Sequence, residues 1–366
     1  MRALLVRART GLVHREAEVA SPPALPSALA LFLLSTPEVT GVDRLELAPP
    51  PGSWGTSQGW TALSEQVAAV QRDADVTHAL DLVAAVAALS ARRVTGVPVV
   101  VRAQLCGAGT GPSRRTAVRA AVLRAADAVL VPTEADRELA RALGADPERV
   151  RLCPDAALVT HTECGGRPHH EGPAPVADLE GRYLLGMSGV PEQRTTQEGL
   201  LRALAREKEL RLLLVGARPG RPAQDAFVAR ARALRVADRV HVRPWHDTTD
   251  LVDLVDNASV VLATRTEPTS ALSALLAMRR ARPVVAVESA PAAEVLVDGV
   301  TGRLVPSGDV NGLTDALCRT AVDCFRQLAW GQAGLDRVTA RYDAGAVVAS
   351  ITSAYDRLSP PAAPAA

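Results

Sequence analysis

The sequence predicts an α/β protein built from two doubly wound parallel-sheet domains. Short apolar runs rich in β-branched residues alternate with helix-forming segments along the chain, which is typical of repeated βαβ units. The alternation occurs twice, and a segment rich in Gly and Pro at residues 164–175 separates the two halves. A length of 366 residues also fits two domains.

Composition excludes several classes of function. A net charge of +1 gives no reason to expect nucleic acid or an anionic membrane surface as a partner. The aromatic content of 3% is too low for a protein that stacks on single-stranded bases. The longest clean apolar run, residues 28–34, is too short to cross a bilayer, so no transmembrane segment is predicted. Five irregularly spaced cysteines suit a reducing cytoplasm, where we expect the protein to reside.

The N-terminal half, residues 1–160, is predicted to alternate strands and helices. Strands are expected at 2–8, 44–48, 75–78, 96–102, 127–132 and 150–154. Helices are expected at 26–35, 63–71 and 114–126, with another that ends at Arg93. Thr133 and Asp136 have the spacing of a capping box, so a further helix should begin there and stop at Gly144.

The C-terminal half, residues 181–340, repeats this pattern after a linker at 161–180. Strands are expected at 183–187, 211–215, 240–243 and 259–263, and helices at 197–206, 223–234, 249–257 and 310–340. A last helix at 341–358 is expected to cross back to the N-terminal domain. Residues 359–366 are predicted to be a disordered tail.

Residues 264–306 are the stretch around which the C-terminal half is organised. They predict a loop, a helix over 271–278 with Ser270 as its N-cap, a buried strand over 283–287, a short helix over 294–298 and a tight turn over 298–302. The amides of Ser270, Ala271 and Leu272 would point out of the helix N-terminus. Such a helix end suits a phosphate group.

This stretch resembles the donor-binding half of family 4 glycosyltransferases, which are retaining enzymes with two Rossmann-like domains (the GT-B fold). The resemblance is carried by RPVV at 282–285, AEVLVDG at 293–299 and TGRLV at 301–305. It extends over most of the chain after residue 60. It implies a nucleotide-diphosphate sugar as donor, bound by the C-terminal domain, and a small molecule or glycan as acceptor. It implies no cofactor and no metal ion.

The resemblance also points to residues at the donor phosphates. The family holds them with an Arg and a Lys in G-R-x-x-x-x-K-G, because fixed cations stabilise the leaving charge. Here Gly189 keeps its place, but Val190 stands at the Arg position and Thr195 at the Lys position. Arg194, one residue away, is a candidate replacement because guanidinium binds phosphate bidentately. The alternative is a solvated loop charge.

Further donor-side candidates follow other strands of the C-terminal half. Gly216 and Arg218 match the family's turn under the nucleotide, and Arg243 matches the start of the stretch that holds the base. Glu267 corresponds, with a shift of one residue, to the acid that contacts the donor sugar; the alternative is a solvated loop carboxylate. Leu276 replaces a second acid and cannot hydrogen-bond a ribose hydroxyl.

On the acceptor side, His78 ends a strand and matches a His or Asp that commonly faces the acceptor. The alternative is a structural histidine. Gln104 stands where family members often carry a His, and it cannot act as a base. A small cluster of potential metal ligands consists of His161, Cys164, His169 and His170. Their spacing is not that of a metal site, so no metal site is predicted.

The leading functional hypothesis is therefore transfer of a sugar from a nucleotide-diphosphate donor to an acceptor with retention. His78 and Glu267 are the catalytic candidates. The second hypothesis is a catalytically inactive GT-B scaffold that acts as a binding or assembly partner of an active enzyme. A third is an enzyme with an atypical donor and a rewired site. All three hypotheses stay open because four positions differ from the family's usual residues: Val190, Thr195, Leu276 and Gln104.

Overall fold

A computed structural model describes residues 1–8, 41–48, 56–105, 113–154, 183–187, 189–216, 222–243, 248–264, 269–342 and 344–358. The chain divides into two compact units, one of residues 1–158 with 344–366 and one of residues 159–343. The helix predicted at 26–35 and the linker at 161–180 lie outside the described residues.

The first unit contains a parallel sheet with the strand order β2-β1-β3-β4-β5-β6. Its strands are β1 (Arg2–Ala8), β2 (Gly41–Leu47), β3 (Val76–Ala79), β4 (Val99–Arg102), β5 (Ala128–Val131) and β6 (Val150–Leu152). One face packs against α1 (Ser57–Gln71), α2 (Leu82–Thr95), α3 (Arg114–Ala125) and α4 (Glu134–Ala142). The predicted cap of α4 is confirmed, because the Thr133 hydroxyl accepts a hydrogen bond from the Asp136 amide.

The last helix of the chain covers the other face of this sheet. It is α12, and it spans Ala344–Asp356. Ile351 and Tyr355 of α12 pack against Leu5, Val100 and Leu130 of the sheet. The C-terminal helix is thus part of the first unit although it follows the second in sequence.

The second unit contains a parallel sheet with the order β12-β11-β10-β7-β8-β9. Its strands are β7 (Tyr183–Gly186), β8 (Arg211–Val215), β9 (Val240–Arg243), β10 (Val260–Ala263), β11 (Val284–Val287) and β12 (Gly302–Val305). The helices are α5 (Arg194–Arg206), α6 (Pro222–Ala233), α7 (Thr248–Asn257), α8 (Thr269–Arg279), α9 (Ala290–Val295), α10 (Val310–Val322) and α11 (Cys324–Arg341). The two parallel sheets with flanking helices confirm the predicted fold class.

Several predicted helices have other bounds in the structure. Helix α1 begins at Ser57, six residues before its predicted start, because the Thr56 hydroxyl caps it by accepting from the Gly59 amide. The short helix predicted at 294–298 lies at Ala290–Val295, because the Ser289 hydroxyl caps it and Pro291 suits its first turn. The single helix predicted over 310–340 is broken at Asp323, whose carboxylate caps α11 by accepting from the Arg326 amide. Helix α5 begins at Arg194, three residues before the predicted start.

No helix in the described ranges is both long enough and apolar enough to cross a bilayer.

Candidate functional site

The strand order of the second sheet creates a crevice beside β7. The chain passes from β7 to β8 and β9 on one side, and then continues with β10, β11 and β12 on the other. In open parallel sheets, ligands bind outside the carboxyl ends of the strands at such a reversal. Neighbouring strands are about 5 Å apart. The segments that follow β7 and β10 therefore start side by side.

The first of these segments is the β7–α5 loop, residues 189–193. Gly189 has a φ of 70°, which favours glycine, and its amide donates to the Val215 carbonyl at 2.7 Å. Val215 ends β8, and Gly216 after it has a φ of 90°. The two glycines that the sequence singled out thus sit at adjoining strand ends and let the backbone turn there.

The predicted cation positions of this loop differ in their surroundings. Val190, at the family's Arg position, packs against the hydrophobic core. Thr195 is half-buried in the first turn of α5. Arg194 is exposed at the first position of α5, and within the part of the chain that the structure describes it forms no ion pair. Arg194 is therefore a solvent-facing cation beside the loop.

Sequence reasoning missed two residues behind this loop, Gln197 and Arg230. Gln197 is buried in α5, and its Nε2 donates to the Pro191 carbonyl at 2.5 Å. Its Oε1 accepts from the guanidinium of Arg230 on α6. A signal was present in the sequence, because Gln197 lies on the apolar stripe of α5 with Leu200 and Leu204, where a polar residue must find partners.

The second segment at the crevice is the start of α8. The helix begins at Thr269, so Ser270 lies in its first turn and is not the N-cap that was predicted. The predicted amide donors, Ser270, Ala271 and Leu272, all lie near this end. A helix N-terminus carries partial positive charge and unsatisfied amides, which favour an anion. Leu276 is buried in the body of the helix.

The remaining donor-side candidates are only partly within the described residues. Arg243 ends β9 opposite Val215, two strands away from β7. Arg218 and Glu267 lie outside the described residues. Among described residues, no group of three or more His, Cys, Asp and Glu is placed to hold a metal ion. The His161–His170 cluster lies outside the described ranges.

The predicted turn at 298–302 is present, and its polar groups are used within the fold. Asp298 accepts from the Leu304 amide at 2.9 Å and pairs with Arg303 at 3.0 Å. The Thr301 hydroxyl accepts from the Val297 amide at 2.8 Å. A Cβ on Gly302 would stand 2.5 Å from the Val284 carbonyl oxygen. These residues build the entry to β12, which explains the motif without a ligand.

His78 does not face solvent. It lies on the face of β3 that α12 covers, with 1% of its surface exposed, and its Nδ1 is 2.7 Å from the Tyr355 hydroxyl. Burial and the nearby charge of Arg102 lower its pKa from 6.5 to about 3, so the ring is neutral at pH 7. The expectation of an acceptor-facing His78 finds no support here. The structural alternative accounts for its burial and its partner.

Comparison with known proteins identifies the class of each half. Residues 3–156 match the family described as "Glycosyl transferase 4-like domain", and residues 183–323 match "Glycosyl transferases group 1". Together with the two parallel sheets, these matches support a family 4-like glycosyltransferase of the GT-B fold.

One curated relative and two solved structures illustrate the similarity. D-inositol 3-phosphate glycosyltransferase of Mycobacterium sp. (strain JLS) is 30% identical over 293 residues, 78% of this chain and 62% of the relative. The chain thus spans less than two thirds of that relative's length. Sucrose-phosphate synthase from Thermosynechococcus elongatus has a TM-score of 0.74 at 18% identity, with 98% of each chain covered. Anabaena HepE in complex with UDP-glucose has a TM-score of 0.72 at 16% identity, covering 98% of this chain and 100% of HepE.

Proposed function

We propose that this protein transfers a sugar from a nucleotide-diphosphate donor to an acceptor hydroxyl, with retention at the anomeric carbon and without a metal ion. The observation that carries the proposal is the pair of segments at the strand-order reversal: the glycine loop after β7 and the N-terminus of α8 after β10. Both segments follow strands at the carboxyl edge of the sheet, where an anionic nucleotide is expected. That HepE was crystallised with UDP-glucose supports this donor class.

In the proposed reaction, the donor diphosphate lies against the amides of Ser270 to Leu272. The bond between the anomeric carbon and the diphosphate breaks, and the leaving charge is stabilised by the helix end and by Arg194. The acceptor oxygen forms its bond on the face that the diphosphate leaves, and its proton passes to the departing phosphate oxygen. Glu267 and Arg218 keep their predicted roles at sugar and phosphate as part of this proposal, and His78 takes no part in it.

Donor binding is tested by calorimetric titration of UDP, GDP, ADP and TDP into the full chain. We expect one of them to bind, and Arg194→Ala to weaken its Kd by about tenfold to a hundredfold, the cost of one charged hydrogen bond. Arg206→Ala is the matched control, because Arg206 is an exposed arginine at the far end of the same helix. Equal losses in both variants would contradict a phosphate contact at Arg194.

Transfer is tested by release of nucleoside diphosphate from the matching sugar nucleotide. D-inositol 3-phosphate is the first acceptor to assay, because the mycobacterial relative is named for it. NMR of the product should show the donor's anomeric configuration, and a chelator should leave the rate unchanged. An inverted product rejects retention, and a chelator-sensitive rate rejects the metal-free reaction. A chain that binds no sugar nucleotide rejects the whole proposal in favour of the inactive scaffold.

A further inference from the structure

We infer that Gln197 and Arg230 are positioning residues that fix the β7–α5 loop for the donor phosphates. The inference rests on the proposed function and deepens it. Neither residue contacts the substrate in this view; both act through the main chain of the loop, which lies at the strand-order reversal.

The loop is fastened at two points of its main chain. At its start, the Gly189 amide donates to the Val215 carbonyl at 2.7 Å, which ties it to the end of β8. Two residues later, the Pro191 carbonyl accepts from Gln197 Nε2 at 2.5 Å. Because Val190 between them packs into the core, the amide of Gln197 and the β8 strand end together determine the path of the loop.

Arg230 holds the Gln197 amide in the orientation that this contact requires. A glutamine side chain can rotate its amide and exchange its oxygen and nitrogen. The Arg230 guanidinium has only donors, so it accepts no N–H and keeps Gln197 Oε1 on its own side. The Nε2 must then face Pro191. Gln197 is 4% exposed, so water does not compete for either contact.

Arg230 has the features of a residue kept for this contact. It is half-buried on α6, and among the described residues no carboxylate pairs with it; its guanidinium donates to the neutral amide of Gln197. Its donors serve the Oε1 of Gln197, an acceptor that is itself buried. The charge of Arg230 also lies behind a loop that has Val190 and Thr195 at the family's cation positions.

The experiment compares variants that separate the two contacts. Gln197→Glu keeps an acceptor for Arg230 but removes the N–H that reaches Pro191, and Gln197→Leu removes both. Arg230→Met removes the orienting donor, and Arg230→Lys retains a charged donor. Arg232→Met is the matched control, an exposed arginine on the same helix. Each full-length variant is measured for Kd of the nucleoside diphosphate that binds wild type and for KM of the sugar nucleotide and of the acceptor. Amide exchange is followed at residues 189, 190 and 192, since Pro191 has no N–H.

We expect Kd and donor KM to rise about tenfold in both Gln197 variants and in Arg230→Met, the effect of one buried hydrogen bond. The acceptor KM should not change, exchange in the loop should accelerate, and Arg230→Lys should recover part of the loss. Arg232→Met should behave as wild type. If wild type binds the nucleotide while Gln197→Glu matches it in Kd and loop exchange, this inference is overturned and the proposed function stands. A wild type that binds no sugar nucleotide overturns both.

Discussion

Acidification should destabilise the first unit through a single buried side chain, His78. Its pKa is about 3 in the fold and 6.5 in an unfolded chain, because burial and Arg102 disfavour the charged ring. Between these values the unfolded state binds a proton that the folded state does not. The neutral His78 ring therefore makes its full contribution to the free energy of unfolding above pH 6.5, and this contribution is lost as the pH falls toward 3. From pH 7 to pH 5 the loss is about 2 kcal/mol.

The assay is urea unfolding of wild type and His78→Asn at pH 7 and pH 5. Asparagine does not titrate, and its amide reaches the region of Nδ1, where it can meet the Tyr355 hydroxyl. The difference in free energy of unfolding between the two proteins should shift by about 2 kcal/mol in favour of the variant at pH 5. His241→Asn, a half-buried strand histidine of the other unit, is the matched control. A difference that stays constant with pH for His78→Asn would refute the reasoning.

Two further predictions concern contacts that the fold requires. Gly302→Ala should lower the free energy of unfolding of the second unit by about 2 kcal/mol or more, because its Cβ meets main chain that cannot yield. Gly299→Ala is the control, because its Cβ would have no atom within 4 Å and only the positive φ of 73° is unfavourable for alanine. It should lower the free energy of unfolding by about 1 kcal/mol. Equal losses for the two variants in thermal unfolding would contradict the close-contact argument. Asp136→Ala should lower the free energy of unfolding of the first unit by about 2–3 kcal/mol, because the buried carboxylate accepts a hydrogen bond from the Leu105 amide at 2.6 Å. Glu134→Ala, at an outward position of the same first turn, is the control, and an equal effect in urea unfolding would contradict the burial argument.

Much of the fold follows from local patterns in the chain. Strands buried on both faces appear as apolar β-branched runs, and the helices between them carry caps such as Thr133 that mark where they begin. The bounds of β8 (Arg211–Val215) and β9 (Val240–Arg243) agree with the prediction at both ends. The prediction of one continuous helix over 310–340 was wrong, because Asp323 caps the start of a second helix within an otherwise continuous helical pattern.

The candidate site was predictable where it depends on the main chain. Gly189 and Gly216 were singled out, and each has the positive φ that glycine permits. The position of α8 followed from its helix-forming run. Gln197 and Arg230 were not recognised as a pair, since 33 residues separate them and only the tertiary structure brings their side chains together.

Local sequence patterns were sufficient to predict the alternation of strands and helices, the strand and turn of the 282–305 stretch, and the glycine positions of the loop. These patterns did not show which face of the sheet the His78 side chain lies on. A strand that is covered on both faces is apolar on both, so its sequence does not distinguish the two faces. The orientation became clear only in the folded chain, where Tyr355 of α12, 277 residues away in sequence, lies against the histidine ring. Contacts of that separation depend on chain topology, which no local pattern encodes.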